Sequence, residues 1–448
     1  MTRQPAASFE GIVDQLPIDT PAVGTGRLQK RGLPTYVNTR TNEVELYDPW
    51  LLKQSGRIAS TAKLKIGKRG QGKTLDNMHE IMTFVGRKGR RGEPFRIQVD
   101  DHRRDDGEPE YAELITSLDG VVVFLSEYRL NVLDMSMGMR FSQQLGMTKL
   151  ILQHVFGRNF QSRHAEALRY ALKIGRRDFS ESLELGLLPM ILRSLADADV
   201  RTVLETSRQS IADRHSSSEA YRALTSKEWR ISRRLLDVAD ELAGMIEELL
   251  DGEYGEIIGG THSLSDVLSS PLVCFDYSGL SDEAVMLVQA MMWYWRAAAL
   301  INRDFRFRFD MEIHDENYKL WEYPVYAKAM HQYLKQLRSH GTYVILSTQR
   351  EGDYFTIGER GGQTRRLATS AIREVDILQI GRLDRKSAKE LRKSRGLTSE
   401  EQATIEGLKV GQWGLKIGEE PIIWISTDPD DELLTLGASD GANDNMLV

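Results

Sequence analysis

The sequence predicts an α/β protein with a mainly parallel sheet and an all-helical segment inserted into it. Three observations carry that class. Short apolar runs of strand length alternate with helical periods on both sides of the chain's middle. A glycine-rich loop joins one such run directly to a helix, and residues 140–252 follow helical spacing almost without interruption. Strands that alternate with helices pair mainly in parallel, with both faces covered.

Residues 1–35 are polar, with scattered proline and glycine, and read as a flexible arm. The stretch 35–48, TYVNTRTNEVELYD, reads as a hairpin leading towards a strand in which Leu64 and Ile66 alternate with lysines. Gly67 to Thr74, GKRGQGKT, then fits G-x-x-x-x-G-K-[ST] at every fixed position. Behind it Leu75, Met78, Ile81, Met82 and Val85 recur at helical spacing. Strand, loop and helix are the context that a phosphate-binding P-loop requires.

The residue types fit that chemistry. Gly67, Gly70 and Gly72 let backbone N–H groups wrap phosphate oxygens, and the new helix aims its N-terminus at the charge. Lys73 would bridge the β- and γ-phosphates, and the Thr74 hydroxyl would ligate Mg²⁺. The expected ATP-binding set is the loop and its exit: Gly67, Lys68, Arg69, Gly70, Gln71, Gly72, Lys73, Thr74 and Leu75.

The runs 94–102 and 120–127 supply two further strands. In the helical block a capping box, Thr225 with Glu228, precedes a stripe of Ile231, Leu235, Val238, Leu242, Met245 and Leu249. That stripe predicts packing within a helical bundle. The α/β pattern resumes with a strand ending at Asp276, a buried helix, and runs at 307–317, 341–350 and 375–382; a hairpin at 411–427 closes it. The expected organisation is an arm (1–35), the P-loop half of the core (36–139), an inserted bundle (140–252), the second half (253–430) and a flexible tail (431–448).

A nucleotide hydrolase also needs carboxylates on a neighbouring strand. Asp315 and Glu316 end the run of Phe307, Phe309, Met311 and Ile313. Asp315 would hold Mg²⁺ through its water shell, and Glu316 would polarise the attacking water. Arg308, Asp310, Glu312 and His314 alternate with the apolar residues, a departure from the two-sided apolar pattern of a central strand, yet a place beside the loop is expected because a P-loop fold needs such a carboxylate pair. One helix later, Gln349 in STQR would stand beside the γ-phosphate and orient water. His102 and His314 read as structural histidines.

Composition bounds the rest. The chain has 448 residues, 41% hydrophobic and 28% charged, enough for two or three domains. One cysteine, Cys274, excludes a disulfide framework and suits a reducing cytosol. The N-terminus lacks the apolar core of a signal peptide, and the apolar stretch 284–301 carries Gln289 and Arg296, so a buried helix is expected and no membrane span. A net charge of −6 excludes a basic nucleic-acid wrapper, although basic runs occur at 86–92, 303–309 and 381–386.

Several blocks together resemble the ATPases of conjugative transfer and type IV secretion, within the HerA–FtsK superfamily of P-loop motors. They are LYDPWLLKQSGRIAS before the P-loop, RIQVDD, EPEYAELITSLDGVVVFLS, RLNVLDM, PLVCFDYSGL, HDENYKLWEYP, LRSHGTYVILSTQ and GLTSEEQATIEGLKVGQWGLKIGEEPIIWI. The resemblance implies a RecA-like core, ATP and Mg²⁺ as cofactors, and a homo-oligomeric ring, typically a hexamer. It implies an arginine reaching the next subunit's site: Arg338 first, then Arg350 and Arg382. It also implies secretion or conjugation proteins as partners, possible contact with DNA, and a cytoplasmic place that reaches the membrane's inner face only through partners. Family members carry a long domain before the motor, whereas only 66 residues precede Gly67, so a motor-only version is expected. A double-stranded DNA translocase or packaging ATPase is the near alternative. An ATP-binding assembly scaffold with little turnover is the distant one.

Overall fold

The computed structural model describes residues 28–85, 95–102, 110–136, 138–179, 182–197, 233–268, 270–301, 309–340, 342–357 and 362–427. A hairpin, β1 (Leu33–Asn38) and β2 (Val44–Tyr47), leads into the short helix α1 (Pro49–Gln54). Asp48 caps α1, its carboxylate accepting the Trp50 and Leu51 amides at 2.9 and 3.0 Å, and Pro49 supplies the first-turn φ. Then come β3 (Ala62–Ile66), the glycine loop, α2 (Lys73–Phe84), β4 (Phe95–Asp101), α3 (Ala112–Ser117) and β5 (Val121–Phe124). The helical block contains α4 (Phe141–Phe156), α5 (Ser162–Asp178), α6 (Leu188–Asp197) and α7 (Arg233–Asp251).

The second half runs β6 (Leu272–Asp276), α8 (Asp282–Ile301), β7 (Phe309–His314), α9 (Pro324–His340), β8 (Tyr343–Thr348), α10 (Gln363–Arg373) and β9 (Ile377–Ile380). It closes with α11 (Arg385–Arg395), α12 (Ser399–Gly407), β10 (Gln412–Ile417) and β11 (Ile423–Ser426). The eleven strands among the described residues join one sheet in the order β2-β1-β11-β10-β9-β3-β8-β7-β4-β6-β5. From β9 to β5 every pairing is parallel; the four strands beyond β9 are antiparallel. β3 sits between β8 and β9, so the loop leaving it opens at the carboxyl ends of parallel strands, where α/β sheets bind ligands.

Alternate residues of the parallel strands feed two apolar clusters. Leu64, Ile66, Val344 and Leu346 join one with the helical block, α8 and α9. Ile97, Val99, Met311, Ile313 and Ile345 join the other with α2 and the β1–β2 hairpin. In the helical block, Val238, Leu242 and Leu249 of the sequence stripe are buried and Met245 half-buried, packed with Leu168, Leu172, Leu188 and Leu192. The capping box and Ile231 lie outside the described residues, as do the run 86–92 and the tail from 428.

One expectation changes. The last residues assigned to the arm belong to the sheet: Leu28 is fully buried and its amide donates to Glu45 Oε2 at 2.8 Å, while β1 begins at Leu33. The strand β7 is central, as an Asp-Glu pair beside the loop requires, despite its polar alternation. The lysines of β3 are buried as well.

The reason is that these polar rows neutralise one another. On one face of the sheet Arg96 makes a bidentate pair with Asp310, at 3.0 and 2.9 Å. Beside it Arg296 of α8 grips Asp100 at 2.7 and 2.8 Å and takes Gln98 Oε1 at 3.0 Å. His314 Nδ1 lies 2.6 Å from Asp100, and Tyr333 donates to Glu312 at 2.5 Å. Burial alone would raise the Asp100 pKa, but Arg296 and His314 outweigh it and hold it well below the usual range. On the other face Lys63 meets Glu80 at 2.7 Å, and Lys65 meets Asp76 and, at 3.3 Å, Glu80. Burial pushes Lys63 down to about 8 even so, while the two lysines overcome burial and pull Glu80 to about 2. Gln289 and Arg296, which marked 284–301 as something other than a membrane span, are both fully buried in protein.

Removing one partner of such a pair leaves an uncompensated buried charge. Arg296→Met therefore lowers the unfolding free energy by about 3–5 kcal/mol, read from urea denaturation. A change below 1 kcal/mol would mean that Asp100 is neutralised some other way.

Candidate active site

The loop after β3 is shaped by two left-handed glycines, Gly70 (φ 73°) and Gly72 (φ 88°), the second directly capping α2. Its base is fixed from both sides. Gly67 N–H donates to the Thr348 carbonyl of β8 at 3.2 Å, and Lys68 N–H to the Arg382 carbonyl beyond β9 at 3.3 Å. Gly381 N–H returns a bond to Ile66 O at 2.7 Å. A Cβ on Gly381 would lie 2.4 Å from Gln71 and 2.8 Å from Trp413, so this close approach demands glycine.

Gln71 does not face the phosphate side. Its side chain is fully buried, and Nε2 donates to the Lys409 and Gln412 carbonyls at 2.8 and 3.0 Å. Its carbonyl accepts from Gly411 N–H at 3.2 Å. Among the expected binding residues, then, Gln71 ties the loop to the closing hairpin, and Leu75 turns half-buried into the α2 cluster. Lys68 and Arg69 are exposed on the loop's outer side.

Lys73 is buried, donating to the Gly67 carbonyl at 3.0 Å and standing 3.9 Å from Glu316 Oε1. Thr74 Oγ1 donates to Asp315 Oδ2 at 3.2 Å, so the two expected Mg²⁺ residues touch. Gln349, at the end of β8, donates to both Glu316 oxygens at 3.2 and 3.4 Å. Glu316 itself is held at φ 54°, a left-handed backbone that non-glycine residues rarely adopt and that clusters at functional sites. Lys73, Thr74, Asp315, Glu316 and Gln349 are therefore one constellation, built from three adjacent parallel strands.

Asp315 Oδ1 is buried and has no hydrogen-bond partner among the described residues. A lone carboxylate oxygen beside a loop threonine suits a hard divalent cation, which takes oxygen ligands and keeps its own water. The residues present fit Mg²⁺.

Asp315 is also steadied through its backbone. His102 Nδ1 lies 2.9 Å from the Asp315 carbonyl, and Nε2 lies 2.8 Å from Gln289 Nε2. A carbonyl only accepts and an amide nitrogen only donates, which fixes one neutral tautomer. Burial pushes the ring's pKa down to about 4, in keeping with that. Both histidines are thus structural here: His102 at the site, His314 in the network below it.

The arginines separate. Arg350 is exposed just past β8. Arg382 lies with its backbone against the chain's own loop. Arg338 belongs to α9, and its side chain is outside the described residues. Sequence reading missed Tyr111, which donates to Asp315 Oδ2 at 2.8 Å, and Asn77, which donates to Tyr111 at 2.9 Å. Neither residue belongs to a spacing pattern; only the burial of a polar pair would have given them away.

No protein-family model matches the sequence, and no curated protein does so significantly. Among solved structures, VirB4 of Thermoanaerobacter pseudethanolicus superposes with a TM-score of 0.62. The match covers 92% of this chain and 100% of that one, at 15% identity. The chain has the VirB4 fold. The expected RecA-like α/β core is the one found, and the resemblance to conjugative and type IV secretion ATPases holds at the level of fold. The plasmid coupling protein TrwB, in complex with the non-hydrolysable ATP analogue ADPNP, gives a TM-score of 0.44 at 13% identity over 90% of this chain and 91% of that one.

Gln71→Ala removes the bonds that hold the loop against the hairpin. We expect nucleotide affinity to fall several-fold, with stability lower by about 1–3 kcal/mol. Titration with a fluorescent ATP analogue checks the first and urea denaturation the second; unchanged affinity would mean that the loop is held without Gln71.

Proposed function

We propose that the chain is an ATP-hydrolysing motor of the conjugative-transfer and type IV secretion type, coupling hydrolysis to translocation of DNA or protein. The observation that carries it is the convergence of Lys73, Thr74, Asp315, Glu316 and Gln349 at the ends of β3, β7 and β8.

In this reading the loop amides and the N-terminus of α2 hold the phosphates, and Lys73 exchanges the Gly67 carbonyl for phosphate oxygens. Thr74 and Asp315 would hold Mg²⁺, which neutralises charge on the β- and γ-phosphates. Glu316 takes a proton from the attacking water as its oxygen bonds to the γ-phosphorus and the bond to ADP breaks. Gln349, bonded to Glu316 in the nucleotide-free chain, orients that water and senses the γ-phosphate. An arginine from a neighbouring subunit of a hexameric ring, Arg338 in the first place, completes the site and is worth about 10³-fold in rate.

The proposed location is cytoplasmic, at the inner face of the membrane through secretion or conjugation partners. Among the described residues no helix is long and apolar enough to cross a membrane.

One observation favours DNA as the cargo. Arg385, Lys386, Lys389 and Lys393 share the exposed side of α11, within an arc of about 100°, opposite buried Ser387, Ala388 and Leu391. None is ion-paired with a described carboxylate; the i, i+4 pairs Arg385/Lys389 and Lys389/Lys393 repel, while Lys386 has exposed Glu390 four residues on. Such a row suits a phosphate backbone, and no apolar residue on that side suits a protein interface.

Steady-state ATPase assays with and without double-stranded DNA test the proposal. Wild type turns over, Lys73→Ala loses nucleotide binding, and Glu316→Gln binds ATP with turnover reduced about 10²-fold or more. Normal hydrolysis by Glu316→Gln would sink its assignment as base. Lys389→Glu with Lys393→Glu should abolish DNA stimulation and spare basal turnover. Stimulation that survives would move the cargo towards protein, and an absence of turnover under every condition would favour an assembly scaffold.

A further inference from the structure

Asp315 is held by a hydroxyl that belongs to none of the site motifs. Tyr111 precedes α3 and is fully buried, its hydroxyl donating to Asp315 Oδ2 at 2.8 Å. The same oxygen accepts from Thr74 at 3.2 Å. A phenol has one hydrogen, and its direction is dictated by what else meets the oxygen. Asn77 Nδ2 donates to Tyr111 at 2.9 Å, so the phenol proton is left for the carboxylate.

The Asn77 amide is oriented in its turn. Its Oδ1 accepts from Lys65 Nζ, a group that only donates, at 2.6 Å. Lys65 on β3, Asn77 on α2 and Tyr111 before α3 thus form a directed chain that ends on the carboxylate after β7. Two donors occupy Oδ2, while buried Oδ1 has no partner among the described residues.

We propose that Tyr111 is a positioning residue for the divalent cation: it turns Asp315 Oδ2 towards α2 and leaves Oδ1 to the cation and its water. This rests on the reading of Asp315 as the cation's carboxylate. Groups that orient a metal ligand in this way typically change metal affinity ~10–100-fold when removed. A hydroxyl that only filled a buried acceptor would change stability and leave cation affinity alone.

The test uses the full chain and Mg²⁺ titrated at fixed ATP, read as the half-saturating Mg²⁺ for the ATP-dependent rise in Tm and, separately, for ATPase turnover. Tyr111→Phe should raise half-saturating Mg²⁺ about tenfold or more, with the affinity for ATP in EDTA unchanged. A Tyr111→Phe chain with lower Tm in the absence of nucleotide but wild-type Mg²⁺ dependence overturns the proposal. Asp315→Asn separates the two layers. If it too leaves the Mg²⁺ dependence unchanged, the cation reading of Asp315 fails and the inference falls with it. If Asp315→Asn shifts it and Tyr111→Phe does not, only the inference fails. Should Tyr111→Phe not fold, Asn77→Ser keeps the phenol and removes the donor that orients it; a shift in the same direction supports the proposal, and none overturns it.

Discussion

A charge inside a sheet that is covered on both faces must be neutralised by protein, because no water reaches it. This molecule carries such charge on both faces of its central strands. Lys63 and Lys65 on β3 require Glu80 and Asp76, so α2 packs in a single register. Asp100 on β4 requires Arg296, which pins α8 across the sheet, and Arg96 requires Asp310, which ties β4 to β7. An apolar sheet would tolerate small slips of a helix over its surface. A sheet with these pairs does not, since each slip would strand an ion.

Those constraints fix the site. With Asp76 and Glu80 docked, α2 presents its first turn, and so Lys73 and Thr74, at the mouth of the loop. With β7 locked between β8 and β4, Asp315 arrives beside Thr74 and Glu316 beside Gln349. Asp76 reaches further, accepting from Gln379 on β9 at 2.7 Å and from Thr427 after the last strand. The buried ions below the loop and the polar cluster above it are therefore one connected structure.

The antiparallel strands do more than extend the sheet. Through Gln71 and the 409–412 turn they clamp the phosphate loop from outside, and through Gly381 and Arg382 the loop also grips the connection into α11. The hairpin and the connection into the basic helix α11 thus each touch the loop directly. Displacement at either has a short covalent and hydrogen-bonded route to the loop.

What the sequence determined by itself was everything governed by local pattern. Glycine at 67, 70 and 72, followed by Lys73 and Thr74, was enough to place the loop, because backbone freedom and residue type decide that geometry over eight positions. Helical spacing located the apolar stripe from Val238 to Leu249, and strand-length runs located the parallel strands. Tertiary structure alone decided where polar residues went. Alternation in AKLKI and FDMEIH did not by itself say where the polar side chains went, because period-two polarity is the same whether the polar side meets water or buried counter-charge. Gln71, read as a phosphate contact, turned to the hairpin because carbonyls more than three hundred residues away offered its amide two acceptors. Tyr111 and Asn77 carried no pattern at all; their roles come from hydrogen-bond direction, which exists only once β3, α2 and β7 are brought together.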